Sequence, residues 1–307
     1  MGDVGPTGGS RLTEISPTNP YSKHRHRVLD LELATIDVGA GDPIVFLHGN
    51  PTSSFLWRNV IPHVEHLGRC VAPDLVGFGD SDKLPGSGDR SYAFVETRRY
   101  LDAMLDQLGI DDRVVLVLHD WGSGLGFDWA HRNEDRVAGI AYLESIVAPC
   151  AWDQLTPEGR RFFERIRSPE GERMALDENV FLEHGLPGGV IRTLTPEELA
   201  EYRRPFLDAG EARRPTLTWP REIPFDGDPA DVHEIVAAYS AWLRTTPIPK
   251  LLIDVSEGDT LTGPLLELAR TFPNQTETSV RGRHFAPEDS PHEIGAALAD
   301  WIPNVPR

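Results

Sequence analysis

Three short segments carry side chains whose types could act together in catalysis. The first covers residues 114–124 (VVLVLHDWGSG), where an apolar run leads into Asp120 and then into glycines that open a helix. A nucleophile held at a sharp turn between a buried strand and a helix has this local pattern, and an ionised carboxylate needs no base to attack a saturated carbon. The match to the usual G-x-S-x-G pattern is partial, because Asp120 replaces the serine and Leu118 replaces the first glycine. Asp120 is equally explained as a helix N-cap, a position that Asp favours.

The other two segments supply groups that could assist such a nucleophile. Residues 46–52 (FLHGNPT) follow a strong apolar run, at the place where an enzyme of this kind holds its oxyanion donors, although Gly, Asn and Pro are also ordinary turn formers. His284 follows the last apolar run of the chain, where a lone histidine is more often structural. The order of nucleophile, acid and histidine along the chain is nevertheless that of a catalytic triad. Together, the segments predict that Asp120 is a nucleophile and His284 a base.

The scaffold that must bring these segments together is predicted from the apolar pattern. Short β-branched runs alternate with longer amphipathic stretches, which predicts an α/β fold with a mostly parallel sheet covered on both faces. Strands are predicted at residues 43–47, 69–72, 114–118, 137–143, 250–255 and 275–280, and helices at 94–108, 122–133, 265–272 and 293–301.

Residues 148–228 interrupt this alternation. They contain no convincing strand, and prolines recur from Pro149 to Pro224, some of them at the start of helical patches at 157–166 and 196–207. We therefore predict a helical cap domain at 148–228, inserted in a core domain made of residues 1–147 and 229–307. The alternative is a series of helices within a single domain.

The composition excludes several classes of function. A formal net charge of -18 argues against a nucleic-acid partner, which requires a basic face. No apolar stretch reaches the roughly 18 residues that span a bilayer, so no membrane partner is expected. Residues 1–10 lack the basic start and apolar run of a signal peptide, and two cysteines do not make a disulfide framework. We therefore expect a cytoplasmic protein.

Neither a cofactor nor a metal ion is expected. The glycines at 122, 124 and 126 imitate a dinucleotide-binding loop, but Phe127 stands where the third glycine of that motif belongs. His63 and His66 could share a helix face, but no cysteine or carboxylate cluster completes a metal site around them.

Longer motifs show a resemblance to a known family. HGNPTSSFLWR (48–58), GFGDSD (77–82), HDWGS (119–123), YLES (142–145) and GRHFAPEDSPHEIG (282–295) resemble the haloalkane dehalogenases, subfamily II most closely. The likeness continues through 179–188 and 202–224, and so covers nearly the whole chain after Leu29. It implies an α/β-hydrolase core with a helical cap. It also implies that a small apolar halogenated alkane is hydrolysed to an alcohol, a halide ion and a proton, through an alkyl ester on Asp120.

The resemblance assigns a role to each site residue. Asp120 is the nucleophile, His284 the base, Glu144 the acid that orients His284, and Asn50 with Trp121 the pair that stabilises the departing halide. Neutral amide and indole N–H groups suit that last role, because they stabilise developing negative charge without competing for the nucleophile. The apolar walls of the pocket are expected to include Phe163, Phe181, Pro205 and Leu261.

The identity of the acid is ambiguous in the sequence itself. Glu144 ends the predicted strand at 137–143 and matches the subfamily II position. Asp259 follows the next core strand, where most other α/β-hydrolases keep their acid, and where subfamily II usually has a small apolar residue. We predict that Glu144 is the acid and that Asp259 is a surface-loop residue or a backup.

Other functions fit parts of the same pattern. An epoxide hydrolase usually has an aromatic residue in place of Asn50 and needs two cap tyrosines, whereas this cap offers only Tyr202. A coelenterazine-type luciferase would keep the same triad. A ligand-binding protein without catalysis is the third alternative, because a fold does not fix a function, but such a protein would be expected to have a degraded triad.

Overall fold

The computed structural model describes residues 14–306, whose centre is an eight-stranded sheet with the order β1-β2-β4-β3-β5-β6-β7-β8. Strand β2 pairs antiparallel with β1 and β4, and all the other neighbours run parallel. The strands are β1 Lys23–Val28, β2 Leu31–Gly39, β3 Pro43–Leu47, β4 Arg69–Pro73, β5 Val114–Asp120, β6 Val137–Ser145, β7 Lys250–Val255 and β8 Gln275–Val280. The carboxyl ends of β3, β5 and β6, which are neighbours, therefore meet at one edge of the sheet.

The central strands are apolar along most of their length because helices cover both faces of the sheet. Along β5, Leu116 and Leu118 belong to one buried cluster, whereas Val115 and Val117 belong to the cluster on the opposite face. Successive side chains of a strand point to opposite faces, so a strand buried on both sides loses the polar alternation of a surface strand.

The helices lie between and beyond these strands. Their bounds are α1 Phe94–Gln107, α2 Trp121–Arg132, α3 Pro157–Arg167, α4 Glu170–Glu172, α5 Leu186–Gly188, α6 Pro196–Arg203, α7 Arg214–Arg221, α8 Ala230–Leu243, α9 Gly263–Ala269, α10 Ala286–Asp289 and α11 Pro291–Trp301. Helices α3 to α7 all fall between β6 and α8, within the segment that was predicted to lack strands. The predicted fold class, a mostly parallel α/β core with an inserted helical cap, is confirmed.

The domain boundaries at 147/148 and 228/229 stay a prediction. The core assignment also included residues 1–13 and 307, which lie outside the described residues. No helix within residues 14–306 is long and apolar enough to cross a membrane.

The hairpin of β1 and β2 was missed by the sequence analysis. Strand β1 reads KHRHRV, and Val28 is its one fully buried side chain, so it lacks the apolar alternation that identifies a strand. It forms because β2 supplies its hydrogen-bonding partners, and an edge strand tolerates charged side chains.

A buried ionic cluster joins the cap to the core. Arg58, from the core, lies 2.6 Å from Glu288 in α10 and 2.6 Å from Glu198 in α6, and all three side chains are at most 1 % exposed. Arg192 pairs with both carboxylates, and the hydroxyl of Tyr202 donates to Glu288. Because buried charges are tolerated only when they are paired, the cluster fixes how α6 sits on the core.

We expect Arg58→Met to lower the free energy of unfolding by about 3–5 kcal/mol, because it leaves buried carboxylates with too little positive charge. Urea denaturation measures the loss. The matched control is Arg160→Met, which removes a pair with Glu164 whose side chains are both 51 % exposed. Arg160→Met should lower the free energy of unfolding by less than about 1 kcal/mol. Equal losses in the two variants would contradict the structural importance of the cluster.

Candidate active site

Asp120 stands at a tight turn between β5 and α2. Its backbone has φ 49° and ψ −130°, a conformation that is rare for a residue with a side chain and that is tolerated at functional turns. The side chain is 9 % exposed. Gly49 lies directly against it, since a Cβ at that position would be 2.2 Å from Asp120 Oδ2. The turn and this glycine together present the carboxylate to the loop after β3.

Two backbone amides hold the Asp120 carboxylate. The N–H of Asn50 donates to Oδ2 at 2.8 Å, and the backbone N–H of Trp121 also acts on this carboxyl and lowers its pKa. Strands β3 and β5 are parallel neighbours, which brings Asn50 to Asp120 across 70 residues of chain.

His48 fixes the loop that carries Asn50. Its Nδ1–H donates to the carbonyl of Gly49 at 3.0 Å, and its Nε2 accepts the N–H of Leu75 at 3.1 Å. Burial lowers the pKa of His48 to about 4, so the ring is neutral and can act as donor and acceptor at once. The Asn50 amide is therefore aimed by a rigid turn.

His284 lies between Asp120 and Glu144. Its Nε2 is 3.8 Å from Asp120 Oδ1, and its Nδ1 is 3.1 Å from Glu144 Oε2. The carbonyl of His284 accepts a hydrogen bond from Nε2 of His119 at 2.7 Å, which anchors the loop after β8 to the strand that carries Asp120. The three predicted triad residues are brought together in the order carboxylate, imidazole, carboxylate.

Glu144 is held by the loop that follows β7. Its Oε2 accepts the N–H groups of Asp259 at 2.8 Å and Thr260 at 2.9 Å, and its Oε1 accepts that of Leu261 at 3.4 Å. Gly258 permits this approach, since a Cβ there would be 2.3 Å from Glu144 Oε1. Asp259 is an exposed residue that contributes its amide to Glu144.

The electrostatics of the three groups are coupled. Burial opposes ionisation of Glu144, but hydrogen bonds from His284 and from the loop amides hold its pKa below the ordinary value. Burial likewise disfavours a charged His284, yet the hydrogen bond to Glu144 and the charge of Asp120 raise its pKa. Burial raises the pKa of Asp120, against the opposing effects of His284 and of the two amides. Nδ1 of His284 therefore carries its proton toward an anionic Glu144.

The side chains of Asn50 and Trp121, two residues whose backbone amides adjoin Asp120, make few hydrogen bonds. The Asn50 amide donates only a long hydrogen bond, 3.4 Å to the carbonyl of Thr216, and its Oδ1 is buried without a partner among the described residues. The indole N–H of Trp121 makes no hydrogen bond within residues 14–306. A narrow apolar crevice borders this indole, and it is lined by Tyr92, Phe94, Trp121, Leu125, Trp219 and Glu222. Both donors are thus available to a ligand.

The four residues that were predicted to form the pocket walls lie in different parts of the structure. Leu261 is 4 % exposed and adjoins the triad through its amide. Phe163 packs on Phe225 with ring centroids 5.2 Å apart, and Phe181 packs on Phe162 at 5.7 Å. Pro205 lies in the turn Arg204–Phe206 after α6, partly exposed. The role of these residues as pocket walls stays a prediction.

Sequence reasoning missed Thr260, whose Oγ1 lies 3.1 Å from Nδ1 of His284. The one available signal was its position beside Asp259, in the loop where an acid was considered. The sequence analysis also assigned no role to His119, although that residue immediately precedes Asp120. Within the part of the chain that the structure describes, no group of three or more His, Cys, Asp or Glu side chains could hold a metal ion.

A carboxylate at a strand-to-helix turn, an amide from the loop after a neighbouring strand and a histidine after the last strand are the arrangement of an α/β-hydrolase. A family model described as the alpha/beta hydrolase fold matches residues 42–190. A haloalkane dehalogenase of Sphingobium indicum is 56 % identical over 270 residues, which cover 88 % of this chain and 91 % of that one. The chain therefore belongs to the haloalkane dehalogenase family, and it is a hydrolase that acts on carbon–halide bonds.

Two further comparisons bear on this assignment. The crystal structure of the haloalkane dehalogenase DbeA from Bradyrhizobium elkani has a TM-score of 0.87 and 40 % identity, covering 92 % of this chain and 98 % of that one. A coelenterazine h 2-monooxygenase of Renilla reniformis is 40 % identical over 269 residues, which cover 87 % of this chain and 85 % of that one. The Sphingobium dehalogenase is thus the more similar of the two curated relatives.

We expect Glu144→Gln to lower dehalogenase turnover by at least about a hundredfold, because it removes the charge that supports the imidazolium form of His284. Asp259→Asn is the matched control. It removes an exposed carboxylate and keeps the backbone N–H that holds Glu144, so turnover should change by less than about twofold. Initial rates of halide release measure both variants. A crippled Asp259→Asn enzyme beside an active Glu144→Gln enzyme would show that the acid is misassigned.

Proposed function

We propose that this protein hydrolyses carbon–halogen bonds of small apolar halogenated alkanes through a covalent alkyl ester on Asp120. The observation that carries the proposal is the position of the Asp120 carboxylate, held by the N–H groups of Asn50 and Trp121 with Nε2 of His284 at 3.8 Å. This arrangement provides a nucleophile, donors for negative charge and a base within one small volume.

In the first half-reaction, an Asp120 oxygen attacks the halogen-bearing carbon. A C–O bond forms, the carbon–halogen bond breaks, and the halide leaves with its electron pair. The side-chain N–H groups of Asn50 and Trp121, whose backbone amides adjoin Asp120, would bind the halide as its charge develops. Because Trp121 is buried among aromatic side chains, such bonds are worth more there than in solvent.

In the second half-reaction, His284 takes a proton from water, which attacks the carbonyl carbon of the ester. The backbone N–H groups that hold the Asp120 carboxylate are already placed to stabilise the oxyanion. Collapse of the tetrahedral intermediate breaks the bond between the carboxyl carbon and the alkoxide oxygen. The departing alkoxide takes the remaining proton of the added water and leaves as the alcohol, Asp120 is restored as a carboxylate, and the proton on His284 passes to solvent.

Ester formation itself prepares the base. The negative charge of Asp120 is one of the causes that raise the pKa of His284. Alkylation removes that charge, so the pKa of His284 falls and the neutral ring becomes more populated at the step that needs it. Glu144 keeps its charge throughout and supports the imidazolium that forms when water is activated.

The alternatives are less well supported. An epoxide hydrolase would need cap tyrosines free to donate to the epoxide oxygen, whereas the hydroxyl of Tyr202 donates to the buried Glu288. A luciferase-type activity would use the same triad, and a light assay with coelenterazine tests it directly. A ligand-binding protein would have no need for a histidine between two carboxylates.

We also propose a cytoplasmic location, without a nucleic-acid or membrane partner. Cys70 and Cys150 are free thiols in the structure, and burial raises their pKa values to about 12 and about 11. Unpaired and unreactive cysteines are typical of a reducing compartment.

The covalent intermediate should accumulate when the base is removed. His284→Phe should release one halide per enzyme from 1-bromohexane and then stop, because the ester has no base to activate water. Intact-protein mass spectrometry should show one added hexyl group, and digestion should place it on Asp120. Asp120→Ala, the control, should release no halide and gain no mass. Stoichiometric halide release without an added mass would rule out the ester.

Halide binding should be visible in the fluorescence of the protein. Bromide or iodide in contact with Trp121 should quench its emission, and the quenching should saturate. Asn50→Ala should weaken the quenching and reduce turnover about 10- to 100-fold, because one charge-assisted hydrogen bond is lost. Trp219→Phe is the control: it alters an indole 5.7 Å from Trp121 and should leave a saturable quench. Unchanged halide binding and turnover in Asn50→Ala would remove Asn50 from the halide site.

A further inference from the structure

Thr260 contacts both the acid and the base of the site. Its backbone N–H donates to Glu144 Oε2 at 2.9 Å, and its side-chain Oγ1 lies 3.1 Å from His284 Nδ1. Thr260 is therefore a single residue whose main chain holds the carboxylate and whose side chain reaches the imidazole.

The direction of the hydroxyl contact follows from the neighbouring carboxylate. Nδ1 of His284 is also 3.1 Å from Glu144 Oε2. An anionic carboxylate offers only lone pairs, so Nδ1 must carry the hydrogen. The Thr260 oxygen then accepts a share of the same N–H bond.

Glu144 Oε2 is a crowded acceptor. It already receives the N–H groups of Asp259 and Thr260 at 2.8 and 2.9 Å, and the contact with His284 is longer than either. A carboxylate oxygen has about two lone-pair sites, so a third donor is bound less well than it would be alone. A second acceptor beside Nδ1 compensates for this.

We propose that Thr260 is a positioning residue for the base, whose hydroxyl oxygen shares the Nδ1 hydrogen of His284 with Glu144. This inference rests on the proposed function and adds a residue to it. Fixing the Nδ1–H tautomer keeps the Nε2 lone pair available to the attacking water. An imidazolium N–H donates more strongly than a neutral one, so the hydroxyl favours the state formed during ester hydrolysis. Halide release moves no proton and does not depend on Thr260.

The charged and titratable groups around His284 come from several elements. Asp120 faces Nε2, Glu144 faces Nδ1, Asp259 acts from the loop after β7, and the His119 ring lies 5.0 Å away. Arg283 precedes His284 and acts on Asp259. A substitution at Thr260 changes none of these charges, so its effect on a pH profile reports the hydroxyl.

Thr260→Val tests the inference, because valine keeps the shape of threonine and removes the hydroxyl. Thr260→Ser restores the hydroxyl. Thr262→Val is the matched control, since Thr262 is exposed and its side chain makes no hydrogen bond to the helix that it precedes. Stopped-flow halide release from 1-bromohexane measures the first half-reaction. Rapid-quench mass spectrometry of the alkyl-enzyme across pH measures the second.

In Thr260→Val, we expect ester hydrolysis to slow about 3- to 10-fold while the halide burst changes by less than about twofold. The acid limb of the hydrolysis profile should move to lower pH, because the imidazolium loses an acceptor and the pKa of His284 falls. Thr260→Ser should recover both the rate and the midpoint, and Thr262→Val should match the wild type.

Three results would overturn the inference. One is a Thr260→Val enzyme that hydrolyses the ester at the wild-type rate with the same midpoint. Another is a parallel loss of the halide burst and of hydrolysis, which indicates a loosened loop. The third is a Thr260→Ser enzyme as impaired as Thr260→Val. A wild-type enzyme that releases no halide from 1-bromohexane and gains no alkyl group would instead contradict the proposed function, so the two failures are distinguishable.

Discussion

A carboxylate buried at the edge of the sheet is the constraint on which the rest of the site depends. Burial raises the pKa of Asp120, and an unpaired buried charge is costly. The amides of Asn50 and Trp121 offset part of that cost. A strained turn at Asp120, a glycine at position 49 and a neutral His48 that braces the loop are all needed to bring those amides into place.

The charge of Glu144, the second buried carboxylate, is stabilised by a different set of groups. Glu144 is almost completely buried, yet its pKa stays below the ordinary value because His284 and the backbone amides of a loop hydrogen-bond to it. In that loop, the backbone N–H of Asp259 donates to Glu144, while the residue itself is exposed at the surface. The loop after β7 therefore supports Glu144, which itself comes from β6. Thr260, in the same loop, contacts both Glu144 and His284.

The cap is attached to the core by charge as well as by apolar packing. Arg58, Glu198 and Glu288 are buried together, and a partner missing from such a cluster would leave an uncompensated charge. This favours one arrangement of α6 above the loop after β3. Trp219, in α7, packs on Trp121, so the cap contributes to the burial of this indole, and burial is the condition under which the proposed halide donors would be most effective.

The sequence by itself determined the parts that depend on local pattern. Continuous apolar runs identify strands such as β3 and β7 because these strands are buried on both faces, and the proline-rich segment without strands identifies the inserted cap. Asp120 was found because it comes at the end of such a strand, and His284 because it lies in the short loop that follows β8. The charged β1 was missed, since an edge strand obtains its stability from pairing and not from its own apolar pattern.

Only the tertiary structure decided which carboxylate meets the histidine. Glu144 lies at the end of β6 and Asp259 follows β7, and their local sequences offer no physical reason to prefer either. The choice depends on backbone direction in a loop 115 residues from Glu144, where the Asp259 amide points inward and its carboxylate outward. The contact of Thr260 with His284 was invisible for the same reason. A hydroxyl acquires a role from its distance to a partner, and that distance is set by folding rather than by neighbours in the chain.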